Sequence, residues 1–321
     1  MTEKFLPLIE SEIRRQRLGT APRSLYDPIR YIMSLGGKRL RPLLTMLAYA
    51  LYKSDPEKIA RYAAAVEAFH NFTLMHDDIM DKAPLRRGKA TVHEKWNVNT
   101  AILSGDVMLV KVYDVFLELQ VGKLKEVLPL FNTCAAEVCE GQQWDMEFET
   151  KSRVTEAQYL EMIRLKTAVL LGFSLELGAV LADAPAADRP ILRMAGINLG
   201  IGFQLKDDLL DVFADQKKFG KQVGGDILAN KKTYLLIKAM EKSKGRELAE
   251  LKRWISAKKF DPRKKVAAVK TMYSNLGIKE LTEQKIQSCF VKAFEGINQL
   301  SVRGKTEALV RYAHDLMDRQ K

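Results

Sequence analysis

Two groups of aspartates in this sequence share one spacing, in which two adjacent carboxylates are followed by a third three residues later. They are Asp77, Asp78 and Asp81 in the first group, and Asp207, Asp208 and Asp211 in the second. Each group follows an apolar stretch with helical periodicity. On a helix the outer two aspartates of a group lie about 40° apart around the axis and about 6 Å from each other. Like charges this close repel, so the arrangement favours a bound cation.

The donor atoms of both groups are hard carboxylate oxygens, which indicates magnesium. This ion usually takes one or two carboxylates and completes its shell with water and substrate phosphates. A single group of this kind is more often a solvated acidic patch. The recurrence in an otherwise basic chain favours a metal site, and six carboxylates could hold two or three Mg²⁺ ions and one diphosphate.

Basic segments accompany the first acidic group. Before it comes Gly-Gly-Lys-Arg-Leu-Arg-Pro at 36–42, and after it comes Leu-Arg-Arg-Gly-Lys at 85–89. A glycine pair lets backbone amides approach an anion, and arginine forks match phosphate oxygens. Either segment alone could be an exposed helix end or loop. Together with the aspartates they suit a metal-bound diphosphate.

The net charge of +12 over 321 residues would suit nucleic acid, an anionic surface or a phosphorylated small molecule. The tract at 242–270 is rich in lysine and arginine, but it has few aromatic residues and is interleaved with acids. This pattern predicts a solvated helical surface rather than a nucleic-acid-binding face. We therefore expect no nucleic acid among the partners.

No segment predicts a membrane span or an export signal. The most apolar stretch, Thr167–Ala182, is interrupted by Ser174 and Glu176 and is shorter than the roughly 20 residues that a bilayer crossing needs. We expect it to be a buried helix. The cysteines show no Cys-x-x-Cys spacing, which fits a reducing cytoplasm without disulfides or a zinc site. They are Cys134, Cys139 and Cys289.

Apolar residues recur every three or four positions through most of the chain. The clearest predicted helices are Ile59–Met80, Leu103–Leu119, Tyr159–Leu181 and Ile191–Phe213. Strands have little support. We predict an all-α fold in which residues 1–321 form a single domain, a large helical bundle around a central cavity.

The motifs resemble those of the trans-isoprenyl diphosphate synthases of the polyprenyl synthetase family, over roughly Asp27 to Leu236. The motifs occur in the family's order. They are GGKRLRP at 36–42, DDIMD at 77–81, RRG at 86–88, GQQWD at 141–145, KT at 166–167, FQLKDDLLD at 203–211 and GKQVGGDILANKKT at 220–233. The resemblance implies an isoprenoid synthase-like bundle, a homodimer and the magnesium-dependent head-to-tail condensation of isopentenyl diphosphate with an allylic prenyl diphosphate.

The resemblance also implies site residues. Those for isopentenyl diphosphate are Gly37, Lys38, Arg41, His70 and Arg87. Those for the allylic diphosphate are Arg86, Lys166, Lys221 and Lys231. The catalytic residues that it implies are Lys166, Thr167 and Gln204, and of these Thr167 and Gln204 line the place where the carbocation forms. Asp77, Asp81 and Asp207 are the principal metal ligands, completed by Asp78, Asp208 and Asp211; weaker matches are Gln142, Asp145 and Asp226. Taken singly, His70 would more often be a core residue and each lysine a surface residue.

The prediction of product chain length rests on the resemblance alone. Its determinants are the fifth and fourth residues before the first aspartate, here Phe72 and Thr73. A large aromatic at the first of these positions resembles synthases that stop at short chains. It favours geranylgeranyl diphosphate, then farnesyl diphosphate. Helix geometry supports this weakly, because Phe72 falls about 140° from Asp77 around the axis. The chain also lacks two extra residues that many bacterial short-chain enzymes carry inside the first cluster.

Two alternatives remain open. A class I terpene cyclase also ionises an allylic diphosphate with an aspartate-rich helix and magnesium, but it needs no second diphosphate pocket. A non-catalytic partner subunit of a heteromeric synthase would be expected to lose motif residues, and all six aspartates are present.

Overall fold

The computed structural model describes residues 2–16, 18–214, 224–302 and 304–318, and these residues are helical almost throughout. The α-helices are α1 (Thr2–Arg15), α2 (Arg23–Ser34), α3 (Leu40–Ala50), α4 (Ala60–Met80), α5 (Val92–Lys95), α6 (Val98–Phe116), α7 (Val121–Thr150), α8 (Glu156–Ile163), α9 (Val169–Leu181), α10 (Asp188–Phe213), α11 (Gly225–Leu228), α12 (Tyr234–Lys242), α13 (Gly245–Ser256), α14 (Pro262–Asn275), α15 (Ile278–Asn298) and α16 (Glu307–Asp318). A 3₁₀ turn spans Pro56–Ile59 and a π-helical turn spans Arg164–Ala168. The predicted all-α fold is confirmed.

A short antiparallel hairpin interrupts the helices at a place where the sequence predicts only a loop. Strands β1 (Leu85–Arg86) and β2 (Lys89–Ala90) pair Leu85 with Ala90 and Arg86 with Lys89. Arg87 and Gly88 form the two-residue turn with φ values of 51° and 74°. Two positive φ values in succession are what the tightest hairpin turns require, and glycine at the second position makes this possible.

The chain divides into two compact units. Unit 1 consists of Met1–Thr133, Phe173–Arg193 and Ser301–Leu309, and unit 2 consists of Cys134–Gly172, Met194–Leu300 and Val310–Lys321. That all 321 residues form a single domain stays a prediction.

In unit 1, helix α4 packs against α1, α3 and α6. Alanines at 63–65 and Ala68 are buried on α4, and such small side chains let neighbouring helices approach closely. Below them Phe69 enters a cluster of rings, with centroid distances of 5.0 Å from Phe69 to Phe131 and 5.7 Å from Phe131 to Phe173. Each such pair contributes about 1 kcal/mol beyond simple burial. The predicted helix Ile59–Met80 is confirmed as α4.

Helix α10 begins three residues before its predicted start. Asp188 lies in its first turn and accepts hydrogen bonds from the backbone N of Ser301 (3.2 Å), from Ser301 Oγ (2.6 Å) and from Tyr52 Oη (2.8 Å). A carboxylate here also interacts favourably with the helix dipole. Pro190 is tolerated because the first turn of a helix needs no amide donor from it.

In unit 2, helix α12 packs on α8 and α15, and α14 packs on α11, α13 and α15. The predicted helix Tyr159–Leu181 is present, but it is divided into α8, the π-helical turn and α9. Two glycines accompany the turn. A Cβ on Gly141 of α7 would lie 2.2 Å from the backbone N of Lys166, and one on Gly200 of α10 would lie 2.5 Å from the Cα of Ala168. The wider turn therefore lies in backbone contact with two other helices.

Helix α9 is buried along its length, as predicted for Thr167–Ala182. Among the described residues, no helix combines the length and the apolar character that a membrane crossing requires. The basic tract at 242–270 forms α13 and most of α14, and one of its charged residues is buried. Lys265 is only 1% exposed, and its Nζ lies 2.7 Å from Asn230 Oδ1 and 4.1 Å from the ring centroid of Phe260.

Candidate active site

The two aspartate groups occupy equivalent places on two helices. Asp77 and Asp78 lie in the last turn of α4 and Asp81 is its C-terminal capping residue, while Asp207, Asp208 and Asp211 lie in the last two turns of α10. A helix C-terminus carries partial negative charge, so each carboxylate there is disfavoured by roughly 0.3–1 kcal/mol. Both groups therefore need compensating positive charge.

The middle aspartate of the first group points into unit 1. Asp78 is 2% exposed and accepts a two-pronged interaction from Arg86, with Nε 2.8 Å from Oδ2 and Nη2 2.7 Å from Oδ1. Burial raises the pKa of Asp78, and Arg86 opposes this shift. The hairpin positions Arg86 for this contact, and its Nη2 also lies 3.8 Å from Asp77.

The basic residues of unit 1 converge around the turn at Gly36 and Gly37. Arg87 Nη1 donates to the carbonyl of Gly36. Gly37 has a φ of 140°, and a Cβ there would lie 2.8 Å from Arg87 Nη2. Only glycine allows the backbone and the guanidinium to come this close.

Next to this turn, His70 is held neutral. Burial lowers the pKa of His70 well below its usual value, and the positive charges of Arg41, Arg87 and Arg86 lower it further. Lys38 is exposed beside them in sequence. The structure thus brings His70, Arg41 and Arg87 together in one strongly positive region of unit 1, which can bind an anion.

The middle aspartate of the second group is also internal. Asp208 is 5% exposed, accepts a hydrogen bond from Tyr159 Oη, and accepts another from Gln204 Nε2 at 3.0 Å. Gln204 Oε1 in turn accepts from Thr167 Oγ1 at 3.1 Å. A continuous chain of hydrogen bonds therefore runs from Tyr159 through Asp208 to the two residues predicted to line the carbocation site.

Burial raises the pKa of Asp208 well above its usual value, and the charge of Asp226 adds to this. Burial and Asp208 together raise the pKa of Tyr159 well above its usual value, so the phenol stays protonated and donates. Tyr159 is absent from the motifs considered in the sequence. It lies 49 residues from its partner, a separation that carries no periodic signal.

The remaining predicted residues of unit 2 form two further pairs. Lys166 Nζ lies 2.6 Å from Asp145 Oδ2, and Asp211 Oδ2 accepts from the backbone N of Asp226 at 3.0 Å. Burial and the charge of Asp211 raise the pKa of Asp226 to about 7, although Lys231 opposes the shift.

Gln142 has a buried side-chain nitrogen for which the described residues provide no hydrogen-bond partner. Lys221 lies outside the described residues.

The two residues predicted to set product chain length, Phe72 and Thr73, have different surroundings. Phe72 is half-buried, with its ring centroid 4.8 Å from His76 and 5.7 Å from Phe69. Thr73 donates its hydroxyl to the carbonyl of His70 at 2.8 Å. The buried Phe69 lies eight residues before Asp77 and so about 12 Å from it along α4. It belongs to the aromatic cluster of unit 1, and no motif in the sequence includes it.

The donor set fits magnesium. In each group the middle carboxylate is anchored inside its own unit, whereas the outer two are at least partly accessible. Within the part of the chain that the structure describes, no three carboxylate, imidazole or thiol side chains are arranged to hold an ion by themselves. Magnesium needs only one or two carboxylates when substrate phosphates and water complete its shell. Within unit 1 the residues that would hold it are Asp77 and Asp81, and within unit 2 they are Asp207 and Asp211.

The chain is similar in sequence and in fold to known proteins. The family model described as polyprenyl synthetase matches residues 22–274. The chain is 44% identical over 231 residues to a short chain isoprenyl diphosphate synthase of Methanocaldococcus jannaschii, covering 71% of this chain and 70% of that protein. It is 43% identical over 226 residues to a geranylgeranyl diphosphate synthase of Methanosarcina mazei, covering 70% and 69%. A crystal structure of a geranylgeranyl pyrophosphate synthase aligns with a TM-score of 0.95 and 43% identity, over 100% of this chain and 99% of that one.

Proposed function

Because the chain belongs to the polyprenyl synthetase family and is a prenyltransferase, we propose that it makes geranylgeranyl diphosphate from isopentenyl diphosphate and an allylic primer. Farnesyl diphosphate is the second candidate product. The observation that carries the proposal is the repeated arrangement at the ends of α4 and α10. There a buried middle aspartate anchors each group, and the two outer carboxylates are at least partly exposed.

The reaction breaks the bond between the allylic carbon and its diphosphate oxygen, which places negative charge on the departing diphosphate. When bound, two or three Mg²⁺ ions supply Lewis-acid stabilisation of that charge. In the proposal, Lys166, Lys221 and Lys231 bind the same diphosphate. The contact between Lys166 and Asp145 holds the ammonium group in place before substrate arrives.

The positive charge left on the allylic carbon has to be stabilised without water. Thr167 and Gln204 are fixed by the hydrogen-bond chain that ends at Tyr159, so their oxygen dipoles are oriented before the reaction begins. Preorganised dipoles cost no reorganisation in the transition state. The alkene of isopentenyl diphosphate then forms the new carbon–carbon bond, and the released diphosphate accepts the proton that is lost.

In unit 1, Lys38, Arg41 and Arg87 bind the diphosphate of isopentenyl diphosphate in this proposal. His70 stays uncharged because its pKa is lowered, so it adds a hydrogen bond rather than another positive charge. Arg86 donates three hydrogen bonds to the Asp78 carboxylate. Its main role is therefore to orient the end of α4, with the allylic diphosphate as a further contact.

The test is to incubate the protein with isopentenyl diphosphate, Mg²⁺ and each allylic primer in turn, and to identify the dephosphorylated products. Geranylgeraniol as the major alcohol supports the proposal. A cyclic hydrocarbon formed without isopentenyl diphosphate would establish a terpene cyclase instead. No product from any primer would point to a non-catalytic partner subunit.

We also infer a homodimer, and one surface of unit 1 supports it. Leu103 and Val110 on α6 and Leu117 just beyond it are each more than half exposed, and Ile102 adjoins them. These residues fall on one side of the helix, and contiguous exposed apolar surface commonly marks a protein interface. Sedimentation of the wild type and of Val110→Lys tests this. A wild-type protein that sediments as a monomer at micromolar concentration would exclude the dimer.

A further inference from the structure

Arg39 is a buried arginine inside the basic segment at 36–42, but it is not among the residues predicted to bind either diphosphate. It is 3% exposed and adopts a left-handed backbone conformation, with a φ of 48°, immediately before α3. A non-glycine residue in this conformation is strained and persists only where its surroundings impose it. The contacts of the side chain show what imposes it here.

Four contacts hold the Arg39 guanidinium. Nε lies 2.7 Å from Glu10 Oε1 and Nη1 lies 2.9 Å from Glu67 Oε1. Nη2 donates to the carbonyl of Met33 at 3.1 Å, and Nη1 also reaches the carbonyl of Gly36 at 3.4 Å. With its donors engaged and its surface covered, Arg39 is not placed to bind a substrate itself.

The Gly36 carbonyl connects this network to the anion-binding residues, because it also accepts the hydrogen bond from Arg87. The position of one carbonyl group therefore depends on both arginines. The neighbouring Gly37 packs directly against the Arg87 guanidinium. A shift of Arg39 would move the turn, and the turn would move Arg87.

Glu67 supplies the opposing charge beneath this region. It is 2% exposed and lies one turn before His70 on α4. Burial lowers the pKa of Arg87, and the negative charge of Glu67 counteracts that effect. One buried carboxylate thus neutralises Arg39 and also acts on the field at Arg87. Glu10, the third member, lies on α1, outside residues 22–274 that the family model matches.

We propose that Arg39, Glu67 and Glu10 form a positioning network that sets the geometry of the isopentenyl diphosphate pocket through Gly36 and Arg87. The proposal rests on the proposed function for the identity of the ligand. A purely stabilising role is a poor explanation, because buried ion pairs are often replaceable by apolar residues without loss of stability. What an apolar residue cannot replace is the fork that joins two glutamates to two carbonyl groups.

The test is Arg39→Lys, which keeps the charge but loses the fork. We expect the KM for isopentenyl diphosphate to rise about tenfold, as for the loss of one charge-assisted hydrogen bond at the pocket. The KM for the allylic primer and kcat should stay within about twofold of wild type. The matched control is Arg189→Lys, because Arg189 also joins a glutamate, Glu126, to a carbonyl group, that of Ala184, and lies in no predicted site.

A second measurement does not depend on turnover. Inorganic pyrophosphate is titrated calorimetrically into each variant in the presence of EDTA, so that the basic residues bind it without metal. We expect weaker binding in Arg39→Lys and unchanged binding in Arg189→Lys. If the wild type extends no primer but this difference is found, the proposed function fails and the positioning network stands.

Two results would overturn the network. One is an Arg39→Lys variant with an unchanged KM for isopentenyl diphosphate and unchanged pyrophosphate binding. The other is an equal rise in both KM values, which would indicate general loosening. If Arg39→Lys does not fold, Glu10→Gln decides, because Glu10 is about one-third exposed and is lost at lower cost. It should raise the same KM severalfold, and no change would refute the proposal.

Discussion

Removing one hydroxyl group, in Tyr159→Phe, tests whether the buried middle aspartate of the second group serves catalysis. The phenol donates to Asp208, and both side chains are at least 95% buried. Leaving a buried acceptor without this donor costs about 2 kcal/mol. We therefore expect the free energy of unfolding to fall by about that amount and Tm to fall by roughly 4 °C.

The catalytic effect follows from the same contact. Without the donor, the Asp208 carboxyl group loses one of the two side-chain hydrogen bonds that orient it. The acceptor of Gln204 Nε2 is then less well fixed, and the pair that Gln204 forms with Thr167 loses its fixed orientation. We expect kcat to fall at least about tenfold, equivalent to about 1.4 kcal/mol of transition-state stabilisation. The KM for isopentenyl diphosphate should not change, because its predicted residues belong to unit 1.

The matched control is Tyr52→Phe, since Tyr52 donates to the buried Asp188 in the same way but lies in no predicted site. Steady-state kinetics and thermal unfolding are measured for both variants. The control should lose stability and keep its kcat. If Tyr159→Phe keeps wild-type kcat, or if both variants lose kcat equally, the hydrogen-bond chain has no specific role in the reaction.

Three further outcomes are expected. Asp77→Ala should abolish turnover and leave the far-UV circular dichroism unchanged; near-normal kcat would remove the metal role. Phe72→Ala should lengthen the product, and chromatography showing the wild-type chain length would exclude Phe72 as a determinant. Burial tends to raise the pKa of Asp188, but hydrogen bonds from Ser301 and Tyr52 hold it below its usual value. Ionised Asp188 therefore stabilises the fold above about pH 4, and this contribution is lost as the pH falls through the folded pKa. Asp188→Asn should lower stability to urea at pH 7 and approach the wild type in acid; a gap independent of pH would contradict this.

The helices and the acidic groups could be predicted from the sequence because both are local patterns. Apolar periodicity located α4 and α10, and the repeated spacing located both aspartate groups on them. The unequal roles within a group could not be predicted. Asp78 is internal because a hairpin brings Arg86 back to it, and Asp208 is internal because Tyr159 reaches it from another helix. The spacing in the sequence gives no distinction between the three carboxylates of a group, whereas their burial in the structure distinguishes the middle one from the outer two.

The basic tract shows the same limit. Composition predicts that 242–270 is solvated, and most of it is, yet Lys265 is enclosed by Asn230 and Phe260. A lysine is rarely buried unless a specific partner accepts a hydrogen bond from its ammonium group. That partner lies 35 residues earlier in the chain, so no local pattern reveals it.

The π-helical turn at Arg164–Ala168 fixes the number of residues between α8 and α9 as well as the path of the backbone. It amounts to one extra residue inserted into a helix, so the segments before and after it follow two registers that differ by about 100° of rotation. Deleting any one of its five residues would restore regular winding, but it would turn either the Tyr159 side or the buried α9 side away from its present contacts. An insertion or deletion is therefore excluded in this turn, even at positions where a substitution could be tolerated.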